Sequence, residues 1–176
     1  KKNGEFTVNI ALVEKGIPIV GVVFVPVANI LYCGMSEVKN GMPFKAWKAV
    51  GCAGKTYAEM IESAVPLSTS NYSQSTERPL RVVASKSHCN DETLKFIEEL
   101  EEEDGDAERV SRGSSLKLCM VAEGIADIYP RIAPTCEWDT AAAHAVVAAA
   151  GGRVFEYREG SVAAEYKTGS ETVNDV

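Results

Sequence analysis

Residues 80–157 decide the fold: LRVVAS (80–85), ETLKFIEELEEE (92–103), ERVS (108–111), SLKLCMVAE (115–123), IADIY (125–129), DTAAAHAVVAAA (139–150) and RVFEY (153–157). Short β-rich runs alternate with longer segments of helical character, so strands and helices take turns. That alternation predicts a layered α/β arrangement, in which ligands collect at strand ends and helix N-termini.

Upstream the pattern changes. PLSTSNYSQSTERP (66–79) is rich in Ser and Thr and bracketed by prolines, which predicts an exposed connection and a boundary between residues 1–65 and 80–176. Before it, FTVNIALV (6–13) sets Phe6, Val8, Ile10 and Leu12 against Thr7, Asn9 and Ala11, the period-two pattern of a half-buried strand. IPIVGVVFV (17–25) follows, then shorter runs over 30–35 and 43–50, with a helix beginning at Thr56. The expected fold class is therefore α/β: an antiparallel meander followed by a C-terminal α/β domain. Lys1 enters a strand with no preceding partner and the tail GSETVNDV (169–176) is polar, so the expectation is a piece of a longer chain without a final core element.

Composition bounds the function. The 176 residues, 45% apolar and 24% charged, suffice for one core and a small second layer, which excludes a coiled coil, a collagen or a disordered tail. No apolar run reaches the roughly 18 to 20 residues of a spanning helix, and KKNGEF has no apolar segment behind its lysines, so no integral membrane segment is expected. Eighteen basic against 25 acidic residues give a net charge of −7, which repels nucleic-acid polymers and leaves local basic pockets for a small anionic ligand. Cys33, Cys52, Cys89, Cys119 and Cys136 are odd in number and hold no C-x-x-C pair, which predicts reduced, mostly core thiols and a cytoplasmic protein. Oligomeric state is not legible.

Three motifs carry chemistry. In EWDTAAAHAVVAAAGG (137–152), Asp139 opens an alanine-rich helix that stops at Gly151 and Gly152; the residues alone favour Asp139 as a helix cap over a metal or catalytic role, and the glycines as C-cap and turn. In RGSSLK (112–117), hydroxyls precede a short apolar helix, and Lys117 stands one turn from Ser114, so both could grip one phosphate; an ordinary serine cap with a surface lysine explains the pattern equally well. In LRVVASKSH (80–88), a buried strand delivers Ser87 and His88 to its carboxyl end, although a lone loop histidine is usually solvated. Arg131, at the end of another strand, has the fork geometry suited to phosphate.

Other features are discounted. In the acidic run ELEEEDGD (99–106), Leu94, Ile97 and Leu100 mark the buried helix face and the carboxylates the solvated one. His144 lies about 140° around the helix from Asp139, so the two cannot share a ligand from one face. No zinc spacing, G-x-S-x-G elbow, P-loop or G-x-G-x-x-G fingerprint is present.

The ordered set NGEFTVNIAL, V-A-S-x-S-H, G-S-S-L-K, A-D-I-Y-P-R and E-W-D-T-A-A-x-H-A-V-x-x-A-A-G-G resembles the CysQ-type 3'(2'),5'-bisphosphate nucleotidases. These belong to the inositol monophosphatase-like, magnesium-dependent, lithium-sensitive phosphatases. The resemblance implies the layered α+β sandwich of that superfamily and a phosphatase of sulfur metabolism. Such an enzyme removes the 3'-phosphate of adenosine 3',5'-bisphosphate, giving AMP and phosphate, through water activated by Mg2+ on clustered carboxylates. It also implies that Asp139 is a metal ligand near the scissile phosphate, that Ser114, Lys117 and Arg131 hold the other phosphate, and that His88 and Ser87 face the nucleoside. The family's paired-glutamate segment and D-P-x-D-G-T motif are missing, and Asp104-Gly105 is no substitute because no D-P precedes it. One carboxylate cannot hold two or three hard cations, so this chain alone should turn over poorly or not at all. The rivals are an inositol-phosphate phosphatase of the same superfamily, a non-catalytic nucleotide-binding module, and a plain α/β domain whose serines only cap helices.

Overall fold

The computed structural model describes residues 4–37, 45–69, 78–84, 89–157 and 171–174, and these build two five-stranded sheets with helices between and outside them. The first sheet is the antiparallel meander: β1 (Val8–Glu14), β2 (Ile17–Val25), β3 (Ile30–Met35), β4 (Ala46–Val50) and the two-residue β5 (Val65–Pro66), in sequential order. The second sheet is parallel throughout. Its order is β7 (Glu108–Ser111), β6 (Arg81–Ala84), β8 (Ile128–Arg131), β10 (Glu171–Asn174) and β9 (Arg153–Glu156).

Side-chain alternation assigns the layers. On β6, Val83 packs into the central core and Val82 into the outer one; on β8, Tyr129 and Ile128 divide the same way. The helices α3 (Leu116–Ala122) and α4 (Glu137–Ala149) fill the space between the sheets with Leu118, Cys119, Val121, Ala142, Val146 and Val147. The helix α2 (Asp91–Asp104) covers the outer face of the parallel sheet with Phe96, Ile97 and Leu100. The short helix α1 (Tyr57–Glu62) covers part of the outer face of the meander with Met60 and Ile61, over Trp47 and Ala49. The stack is α/β/α/β/α, the expected layered sandwich.

The alanine-rich sequence of α4 has a specific cause. Gly21 and Gly34 face it, and a Cβ on Gly21 would lie 1.9 Å from the Ala142 carbonyl oxygen, one on Gly34 2.4 Å from Val146 Cα. Glycine on the strands and alanine on the helix together allow this approach. As expected, the helix ends at a turn, with Gly151 at φ +97° and Gly152 N–H donating to the Val147 carbonyl.

The structure corrects several expectations. β8 runs over Ile128–Arg131 rather than 125–129, because the amides of Ile125 and Ala126 fold back onto the Met120 carbonyl and Asp127 turns toward two arginines. Residues 171–174, read as polar tail, form an interior strand of the parallel sheet; backbone pairing on both sides outweighs composition. Leu94 is exposed on α2, and Thr93 and Phe96 take the buried positions instead. On β1 the apolar residues Val8, Ile10 and Leu12 are exposed, while Thr7 and Asn9 turn inward, because the helix layer offers them hydroxyl partners.

Candidate functional site

The site is built where β1, the start of α3, β8 and the first turn of α4 meet. Ser114 sits just before α3 with φ +51°, a left-handed conformation rare for a residue with a Cβ and costing of order 1 kcal/mol or more. Two bonds hold it there: its hydroxyl is 2.6 Å from Thr7 Oγ1, and its carbonyl accepts from Lys117 Nζ at 2.9 Å. The Lys117 side chain is buried, at 6% exposure, with its ammonium 5.2 Å from the centre of the Tyr129 ring. The pairing of Ser114 with Lys117 across one turn is therefore present, but through the serine carbonyl, and the lysine is no surface residue.

Ser115 is not a serine cap. As N-cap residue of α3 it makes no side-chain cap bond; its hydroxyl donates to the Asp139 carbonyl at 3.2 Å and accepts from Asn9 Nδ2 at 2.9 Å. Asp139 is not a cap either. Cys136 occupies the N-cap of α4, and Asp139 is the third helical residue, exposed and in the positive end of the helix dipole. No side-chain hydrogen bond of its carboxylate is found among the described residues.

Tyr129 is the common neighbour. Burial chiefly pushes its phenol up to about 12; the charge of Asp139 adds to this and that of Arg131 opposes it, so both charged groups are within electrostatic reach of one hydroxyl. Arg131 is the last residue of β8 and shares the inner face with Tyr129; its guanidinium donates to the Pro134 carbonyl at 3.3 Å and is half-exposed. Ser114 and Lys117 are thus joined directly, Lys117 lies against the Tyr129 ring, the Asp139 backbone is tied to Ser115, and Arg131 stands two residues beyond Tyr129 on β8. Ser87 and His88 lie outside the described residues.

Thr7, Asn9 and Tyr129 were not singled out from the sequence as site residues. The signal for the first two was there: a polar pair at alternate positions of an otherwise apolar strand, which reads as a solvated face unless a polar partner waits inside. His144 is half-buried, and burial lowers its pKa, so it stays neutral at pH 7.

The donor set can be tested against a metal. Among the described residues, no group of three His, Cys, Asp or Glu side chains comes together to hold an ion. Hard divalent cations take six or more oxygen ligands, several of them carboxylate, and Asp139 is one. All five cysteines are free, with Cys33, Cys52 and Cys119 buried. No helix among the described residues is long and apolar enough to cross a membrane.

Known proteins are similar to this chain in sequence and fold. The model of the Inositol monophosphatase family matches residues 1–174. The 3'(2'),5'-bisphosphate nucleotidase CysQ of Salmonella typhimurium is 40% identical over 90% of this chain and 54% of its own length, and its Escherichia coli counterpart is 42% identical over the same shares. The crystal structure of CysQ from Bacteroides thetaiotaomicron superposes with a TM-score of 0.70 at 44% identity, covering 85% of this chain and 54% of that one. Mycobacterium tuberculosis SuhB, at 20% identity and a TM-score of 0.62, shares the fold. The chain spans about half the length of the curated relatives it matches. With residues 1–174 of the chain matched by the family model and the same layered fold in a solved relative, the chain belongs to the inositol monophosphatase family.

Proposed function

We propose that this chain holds a nucleotide bisphosphate of the adenosine 3',5'-bisphosphate class, as the substrate-holding part of a metal-dependent phosphomonoesterase that releases the 3'-phosphate. The observation that carries this reading is the gathering of Lys117, Arg131 and Asp139 around Tyr129, beside the strained Ser114. Two cations and two hydroxyls on one wall suit a phosphate dianion; Arg131 adds the planar fork that binds it bidentately. The names of the relatives supply the nucleotide class.

Roles follow from position. Arg131 and the Ser114 hydroxyl contact the phosphate that is not cleaved. Lys117, tied to the Ser114 carbonyl, fixes the turn and lends its charge from below. Asp139, on the open side, is assigned to Mg2+ together with carboxylates that the described residues do not contain. Ser87 and His88 are assigned to the nucleoside. We read the protein as cytoplasmic, from its free thiols.

A second reading is favoured by the single carboxylate: a nucleotide-binding module without turnover of its own. Calorimetric titration with adenosine 3',5'-bisphosphate, with and without Mg2+, tests the holding role that both readings share. Binding without phosphate release places the chain in the holding role, magnesium-dependent release makes it an enzyme unaided, and absence of binding ends both. The inositol-phosphate rival is tested by the same titration with inositol monophosphate, which should bind at least about tenfold more weakly for want of a second phosphate.

A further inference from the structure

Thr7, just before β1, and Asn9, on β1, direct their side chains away from the sheet toward the start of α3. Thr7 Oγ1 is 2.6 Å from Ser114 Oγ, and Asn9 Nδ2 donates to Ser115 Oγ at 2.9 Å, which in turn donates to the Asp139 carbonyl at 3.2 Å. One chain of side-chain hydrogen bonds thus joins an edge strand of the meander, the turn before α3 and the first turn of α4. These partners are separated by more than 100 residues in sequence on the β1 side and by 24 on the α4 side.

Two features show that this chain does more than satisfy polar atoms. Ser114 keeps its left-handed backbone against an intrinsic cost, so its surroundings must over-determine it. Asn9 Oδ1 is buried with no hydrogen-bond partner among the described residues, a cost of about 1 to 3 kcal/mol that an apolar residue at position 9 would avoid. An amide retained at that cost, with its donor fixed on Ser115, marks a position where geometry matters more than stability.

We propose that Thr7 and Asn9 are positioning residues: through Ser114 and Ser115 they set the spacing between the anion donors of residues 114–117 and Asp139. This rests on the phosphate-holding reading. Thr7 fixes where the Ser114 hydroxyl points. Asn9 holds Ser115 so that its proton goes to the Asp139 carbonyl, tying α4's first turn to the donor wall. Without the tie the two segments are still present but no longer held at one distance, and the donors of the turn before α3 lose the fixed placement that a phosphate needs.

The test uses the full chain and four variants, Thr7→Val, Thr7→Ser, Asn9→Ala and Ser115→Ala, with AMP affinity by calorimetry, melting temperature, and hydrogen exchange of the 113–117 and 137–140 amides without ligand. The expected result is about tenfold weaker AMP binding in Thr7→Val and Asn9→Ala. Exchange should accelerate in both segments together, and Thr7→Ser should restore both readouts because it returns the hydroxyl without the methyl. Unchanged exchange in Asn9→Ala and Ser115→Ala overturns the proposal. So does a loss of affinity that merely tracks melting temperature, or a Thr7→Ser variant that behaves like Thr7→Val. If the wild-type chain binds no AMP, the phosphate-holding reading fails, whereas the exchange measurements still decide whether β1 positions the two segments.

Discussion

At the scale of single residues, charge placement separates binding from stability. Arg131 is half-exposed and its one described bond is to the Pro134 carbonyl, so Arg131→Ala removes the proposed phosphate contact with little structural consequence. Its AMP affinity should fall about 10- to 100-fold, the worth of charge-assisted bonds, with melting temperature within about 2 °C of wild type. Equal affinity in the variant would remove Arg131 from the site. Asp127 is the contrast: a buried carboxylate that serves structure. Burial pushes its pKa up, but bonds from Arg78 at 2.8 and 2.9 Å, from Arg81's guanidinium and from the Arg81 amide outweigh that and hold it below the ordinary value. A depressed folded pKa contributes stability above the unfolded value of about 3.9, and this is lost as pH falls through the folded value. Asp127→Asn removes the buried carboxylate charge that Arg78 and Arg81 share and should cost about 3 to 5 kcal/mol at pH 7 in denaturant unfolding. The wild-type advantage over the variant should shrink below about pH 4; an advantage that stays constant into acid would refute the assignment.

At the scale of elements, regular patterns were legible and exceptions were made by tertiary partners. The strands Ile17–Val25, Ile30–Met35 and Glu108–Ser111 coincide with their β-branched or alternating runs. The helices α2, α3 and α4 fall within two residues of their expected starts. β8 moved three residues because Asp127 is drawn to Arg78 and Arg81, a pairing across 46 or more positions that no local pattern announces. β10 was missed because a short polar strand owes its place to neighbours on both sides. In the site, Lys117 and Asp139 were readable as candidates, whereas Asn9 was not: its role depends on Ser115, 106 residues away. Packing of α4 against glycine gives the element-scale prediction. Gly34→Ala drives a methyl into the helix backbone at Val146, which cannot rotate aside, so it should cost about 1 to 3 kcal/mol or more and lower the melting temperature by about 5 °C. Alanine accepted there without loss would mean that α4 stands further from β3.

At the scale of the whole molecule, the two sheets share one core through α3 and α4, and the anion-binding wall lies at the edge of that shared layer. Tyr32 illustrates how closely the layers are joined: its hydroxyl donates to Glu123 at 2.7 Å while Lys48 pairs with the other carboxylate oxygen at 2.6 Å, and burial chiefly, with the Glu123 charge, drives the phenol far above its ordinary pKa. The residues proposed to hold phosphate are thus fixed by the fold of this chain, and no group of three carboxylate, His or Cys side chains gathers among its described residues. Holding and turnover should accordingly come apart. The direct measurement is calorimetric binding of adenosine 3',5'-bisphosphate to the chain, with inorganic phosphate release followed in the same samples in the presence of Mg2+. The account predicts saturable binding that Arg131→Ala weakens, with no phosphate released; release at the rate of a longer family member, or no binding at all, would contradict it.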